Sequence, residues 1–172
     1  MELKKFWKFI TAGVLIGAIA VVTADCSGSS PQSTPAASPQ VAKNLILSSD
    51  MVTGTGGTVK PAAACVLDNV YKAGNQVVFR IRVYDPVTGK QMDDKALSSV
   101  TVSLPDGQSF PATYAGHPAT SPLDYFWATS WIIPANYPTG TLTYTATATA
   151  VDGRTGTFDI FNVAPSLLTV VQ

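Results

Sequence analysis

Between residues 76 and 84 apolar side chains recur at every other position. Val77, Phe79, Ile81 and Val83 fall on one face of an extended segment, and Val78, Arg80, Arg82 and Tyr84 on the other. That period marks a strand with one face in a core, so the second face is expected to be largely wet. Asp85-Pro86-Val87-Thr88-Gly89 follows as a turn, because proline presets φ and glycine accepts a positive one. Residues 99–104 repeat the logic, turning Val100, Val102 and Leu104 inward before Pro105-Asp106-Gly107 reverses the chain, with 110–114 as the hairpin partner. Residues 125–132 are aromatic and apolar on both faces, which suits a central strand. Residues 141–151 are the most regular, with Leu142, Tyr144, Ala146, Ala148 and Ala150 on one face and threonines on the other. Alanines in such a row imply a bulky group opposite, for which Trp127 or Trp131 are the candidates. Asp152-Gly153 turns the chain again, 157–163 and 167–171 close the set, and 45–48 and 65–71 precede it. The pattern predicts an all-β fold, a single antiparallel β-sandwich of about seven to eight short strands over 44–172.

The N-terminal pattern is different. Lys4, Lys5 and Lys8 lead an apolar run of 14 residues, Phe9 to Val22, and small residues then reach Cys26. This is the layout of an export signal over 1–25. The run is short of the roughly 20 residues a spanning helix needs, yet with Phe6 and Trp7 added and Lys8 snorkelling it also suits an uncleaved anchor helix. Residues 26–43 are Ser, Pro, Gln, Ala and Thr with almost no apolar bulk. Such a stretch buries too little to offset its ordering entropy, and a disordered, flexible tether is expected.

Composition removes several function classes. Eleven basic and 11 acidic residues give no net charge, and 13% charged residues leave no electrostatic footprint for nucleic acid. Without residues 1–25 the chain keeps 8 basic and 9 acidic residues, so the exported part is nearly neutral. The only glutamate is Glu2, and Thr, Val, Gly and Pro are abundant, a balance that favours strands and turns over helices.

Cys26 followed by Ser27-Gly28-Ser29-Ser30 resembles the start of a mature bacterial lipoprotein, in which that cysteine would carry lipid. Thr23-Ala24-Asp25 before it departs from that family's aliphatic and small-residue box, whereas Val22 and Ala24 fit ordinary signal-peptidase cleavage. Lipidation, simple cleavage and an uncleaved anchor are the three alternatives. A lipidated Cys26 leaves Cys65 as a lone thiol, expected as a small buried hydrophobe; a free Cys26 in an oxidising compartment could pair with it. Trp131-Ile132-Ile133-Pro134, then Tyr137-Pro138-Thr139-Gly140-Thr141-Leu142-Thr143-Tyr144, then Asp152-Gly153, resembles the closing half of bacterial immunoglobulin-like and fibronectin-III-like domains. That likeness implies an immunoglobulin-like sandwich; Leu142 stands where many members carry a corner tyrosine, and no Cys…Trp…Cys set brackets the fold.

Candidate chemistry is sparse. His117, the sole histidine, falls in the loop expected at 115–118, where a solvated or turn-capping role weighs more than a catalytic or metal one. A blue-copper site needs a second histidine. Asp85, Asp93 and Asp94 match no calcium-loop spacing and are expected as solvated loop charges. Gly54-Thr55-Gly56-Gly57-Thr58 lacks the Gly-Lys-Ser/Thr and the helix of a phosphate cradle, so it is expected as a flexible turn. No cofactor or metal is implied. Tyr114, Tyr125, Trp127, Trp131 and Tyr137 lie in or beside one long loop; they are expected mainly as core packing, with docking of a protein partner and stacking on sugar rings as the functional alternatives.

These features lead to the expectation of a non-catalytic, extracytoplasmic module, periplasmic or on the outer face of a membrane and tethered there by its N-terminus. It would serve as an accessory subunit on a larger cell-envelope complex. The alternative is a cell-surface carbohydrate-binding sandwich, and an enzyme using His117 is the third possibility.

Overall fold

The computed structural model describes residues 44–161 and 166–172, so the apolar run, Cys26 and the tether lie outside the described residues. The described chain is all-β, with eleven strands and no helix among the described residues. They are β1 Ile46–Thr53, β2 Val70–Lys72, β3 Gln76–Tyr84, β4 Leu97–Ser103, β5 Ser109–Pro111, β6 Thr113–His117, β7 Asp124–Ile132, β8 Gly140–Leu142, β9 Thr145–Ala150, β10 Thr155–Asp159 and β11 Leu168–Val171. One four-stranded sheet runs β1-β3-β7-β6, a second runs β10-β9-β4-β5, and a three-stranded sheet runs β2-β11-β8. Every pairing is antiparallel except β11 with β2.

The alternation at 76–84 sets the first sheet. Val77, Phe79, Ile81 and Val83 are each 0% exposed, and burying side chains of this size contributes about 1.5–3 kcal/mol apiece. From the second sheet come Val100, Val102, Ala146, Ala148 and Ala150, from the turn after β4 Leu104, from the third sheet Leu168 and Val170, and all join one core. Trp127 and Trp131 lie in that core with the alanines. Tyr144 packs its ring 4.9 Å from Phe79 and donates its hydroxyl to Ser49 Oγ at 3.0 Å, tying the second sheet to β1. The expected turns hold, with Gly107 at φ +89° and Gly153 at φ +85°.

Several expected segments are redrawn. The segment 110–114 divides at buried Ala112: β5 pairs with β4 as its hairpin partner, while β6 crosses to the other sheet and pairs with β7. The segment 141–151 is two strands, β8 on β11 and β9 on β4 and β10, with the break at Thr143 and Tyr144. The strand expected at 45–48 runs on to Thr53, and of that expected at 157–163 the described part starts earlier, as β10, Thr155–Asp159, while 162 and 163 lie outside the described residues. Of 65–71 only β2 is a strand. Residues 65–68 instead lie along the edge of β1, with Cys65 N on Thr53 O at 2.7 Å, Thr53 N on Val66 O at 3.0 Å and Asp68 N on Met51 O at 3.3 Å.

Candidate functional site

Strand alternation divides the candidate residues between two faces of the first sheet. Pairing of Ile81 with Trp127, Val77 with Trp131 and Tyr114 with Trp127 puts both tryptophans, Tyr114 and Tyr125 on the core face. Trp127 is 6% exposed, and its Nε1 donates to Met92 O at 3.3 Å. The Tyr114 ring lies 5.5 Å from Trp127 and 5.8 Å from Tyr125. Tyr125, 46% exposed, closes this group at its wet end over Gly116, where a Cβ would come within 3.0 Å of its ring. Burial, then nearby Asp93 and Asp94, raises the Tyr114 hydroxyl above its ordinary value.

Trp131 belongs to a second group, about 13 Å along the strand from Trp127. It is 3% exposed, with Tyr137 edge-on at 4.8 Å and Phe110 at 6.5 Å. Tyr137 donates its hydroxyl to Asp106 Oδ2 at 2.8 Å. Burial and then that carboxylate push Tyr137 up to about 12. The aromatic residues therefore form two clusters, not one platform: Trp127 and Trp131 are in the core with Tyr114 and Tyr137 packed against it, Tyr125 stands at the rim, and three of the five lie on β7, the strand expected at 125–132.

His117 lies on the opposite, outer face. It ends β6 as a strand residue, is exposed, and stacks on Phe126 at 4.6 Å with 17° between the planes. Arg80 and Arg82 reach Phe126 from the other neighbouring strand, their guanidinium carbons 5.6 and 5.5 Å from the ring centre. This face was expected to be largely wet. Instead β3 is half-buried along it, and Val52 and Phe126, 4% and 6% exposed, are buried there outside the main core.

The cover comes from the loop after β1. Gln76 accepts from Gly56 N with Oε1 at 2.6 Å and donates through Nε2 to Ser130 Oγ at 3.0 Å, while Thr53 Oγ1 donates to Ala63 O at 2.8 Å. A Cβ on Gly54 or Gly56 would stand 2.3 or 2.8 Å from Gln76 Oε1, so both glycines serve close approach to that side chain. Between this loop and the Pro118 turn lies a half-open cleft of about 490 Å³, lined by Val52, Val78, Phe126 and Ala128 and bordered by Thr55, Cys65, Arg80, His117 and Asp124. Sequence reasoning missed it. Its only local signal was the apolar Val52, Val78 and Phe126 on what alternation made the outer side.

The charges of the cleft are paired. Arg80 holds Asp50 in a fork, Nε to Oδ1 at 2.6 Å and Nη2 to Oδ2 at 2.9 Å, and Arg82 Nη2 holds Asp124 Oδ2. The hydrogen bond with Asp50 raises the Arg80 guanidinium further. Cys65 is exposed at φ +59°, not buried as expected, and Cys26 is outside the described residues. Cys65, His117 and Asp124 border one cleft, but no hydrogen bond links the thiol to the imidazole or the imidazole to the carboxylate. A nucleophile–base pair needs that contact. Elsewhere Asp85 accepts from Val87 and Thr88 and pairs with Arg154 at 2.6 Å, and Asp93 accepts from Lys95 and Ala96. No group of three or more His, Cys, Asp or Glu among the described residues is placed to hold a metal ion. Comparisons with protein-family models, curated proteins and solved structures find no match, so function rests on the chain's own residues.

Proposed function

We propose that the chain is a non-catalytic binding module of immunoglobulin-like topology, exported, tethered to a membrane by its N-terminus, and docked as an accessory subunit on a larger cell-envelope complex. Strand order supports the topology. The immunoglobulin pattern sets strands A, B, E and D in one sheet and C, F and G in the other, with C′ added in variable-type domains. Here β1, β3, β7 and β6 stand as A, B, E and D, and β10, β9, β4 and β5 as G, F, C and C′. The three-stranded sheet continues F and G through β8 and β11 and adds β2 beside G.

The observation that carries a binding role is the outer face of the β1-β3-β7-β6 sheet, where buried Val52 and Phe126 floor an open cleft with no linked nucleophile and base. The lysine-led apolar run, Cys26 and the Ser/Pro-rich stretch 26–43 support the tether, which would carry the domain some tens of Å from the membrane. Affinity capture of the tagged full chain from detergent-solubilised membranes of the cells that make it tests the proposal. Stoichiometric recovery of one or more envelope proteins is expected, and recovery of the chain alone under gentle extraction counts against it.

Carbohydrate binding is the second reading, favoured by Tyr125, a residue 46% exposed with its ring 5.8 Å from that of Tyr114. Glycan-array binding lost on Tyr125→Ala would support it, and a silent array would remove it.

A further inference from the structure

Resting on the binding role above, we propose that the outer-face cleft takes a small, neutral, largely apolar ligand carrying a single hydrogen-bonding group. Size is the first argument. A half-walled space of about 490 Å³ falls within the roughly 300–1,000 Å³ of small-molecule sites. The second is the floor: Val52, Val78, Phe126 and Ala128 are apolar, and Val52 and Phe126 are buried although they stand outside the main core.

Charge decides the class of ligand. Arg80 is held in a fork by Asp50, and Asp124 by Arg82, so both charged groups that border the cleft already have partners. An anion would have to draw Arg80 from Asp50, and a cation would have to draw Asp124 from Arg82. Both pairs are partly exposed, with Asp50 46% and Asp124 63% open to solvent, so the released group returns to water; the ion gains no net pair and still gives up its own hydration over an apolar floor, which is costly. A neutral ligand disturbs neither pair. His117 supplies the remaining specificity: its ring is fixed by stacking on Phe126, and its nitrogens make no hydrogen bond among the described residues. One hydroxyl on the ligand completes it. The loop after β1 and the Pro118 turn wall the space, so a compact molecule enters where a flat protein surface meets the walls first.

The test uses three ligands that share one ring system and differ in charge: 2-naphthol, 2-naphthoate and 2-naphthylmethylammonium. Equilibrium dialysis of the purified full chain in mild detergent, with protein-free micelles as the blank, gives the affinities at pH 7. Saturable one-to-one binding of 2-naphthol is expected, with both ions weaker by about tenfold or more. Ala128→Phe, which fills the floor, and Thr55→Trp, which narrows the exposed mouth, should each weaken 2-naphthol by about tenfold while leaving the circular dichroism spectrum unchanged. Thr55→Trp keeps the test valid if Ala128→Phe does not fold. No saturable 2-naphthol binding, equal affinity for an ion, or indifference to the variants overturns the proposal. Loss of the captured envelope partner in both variants without 2-naphthol binding would assign the cleft to a side chain of that partner, overturning the small-ligand proposal and leaving the docking role intact. Naphthol binding by a chain that captures no partner would do the reverse.

Discussion

Trp127 and Tyr125 stand on the same face of β7 and carry different loads. Trp127 is 6% exposed and bonds the Met92 carbonyl, whereas Tyr125 is 46% exposed at the rim. Truncating Trp127 to alanine opens a cavity and leaves that carbonyl unpaired, so a loss of about 3–5 kcal/mol is expected. Tyr125→Ala should cost about 1 kcal/mol or less. Urea unfolding of the two variants checks the contrast, and equal losses would contradict the assignment. Tyr125, not Trp127, is therefore the residue with which to probe a surface role. Asp85 gives a residue-level prediction in pH. The Thr88 backbone N–H, then Arg154, lower it from an ordinary 3.8 to about 2. Because the folded value is the lower one, its stabilisation is complete above 3.8 and is lost as pH falls towards about 2. Asp85→Asn should lower the melting temperature at pH 7, and the gap to the native chain should close across that window. A gap that stays constant with pH would contradict it.

At the scale of elements, the strands that were legible were those whose period is local. The inward sets of β3, β4 and β9 follow from alternation alone, because each side chain's face is fixed by its own position. What alternation cannot carry is which sheet a strand joins. Residues 110–114 read as one hairpin strand and 115–118 as a loop, yet the pairing changes sheet at Ala112 and β6 runs on to His117, a choice made by Val100 on one side and β7 on the other. The break at Thr143 and Tyr144 is equally non-local, since Tyr144 answers to Ser49 and Phe79. The cleft was hidden for the same reason: Gly54 and Gly56 read as a flexible turn, and only the distant Gln76 side chain explains them. Gly156 is a third case. A Cβ there would stand 2.5 Å from Leu47 Cδ1 and 2.6 Å from the Leu45 carbonyl oxygen. Gly156→Ala should push the start of β1 away from β10, weaken the 2.8 Å bond from Leu45 N to Thr155 O, and cost about 1–3 kcal/mol. Hydrogen exchange should then speed up at Leu45 and not at Phe79; unchanged exchange at Leu45 would contradict the packing.

For the whole molecule the proposal joins a sandwich that binds to an N-terminus that tethers. Each half has its own readout. Mass spectrometry of the mature N-terminus should find an acylated Cys26, and an intact, unacylated Asp25-Cys26 terminus would sink the lipoprotein form of the tether while leaving an uncleaved anchor. The binding half is independent of that result, because the strand order and the outer-face cleft lie entirely within residues 44–172. The most direct measurement of the central claim is the native size of the untagged full chain, extracted from its own membranes in a mild detergent and followed by immunoblot after blue-native electrophoresis. Migration with a membrane assembly many times its own 18.0 kDa is the predicted result; migration as a monomer, in the soluble fraction or alone in its micelle, would contradict it.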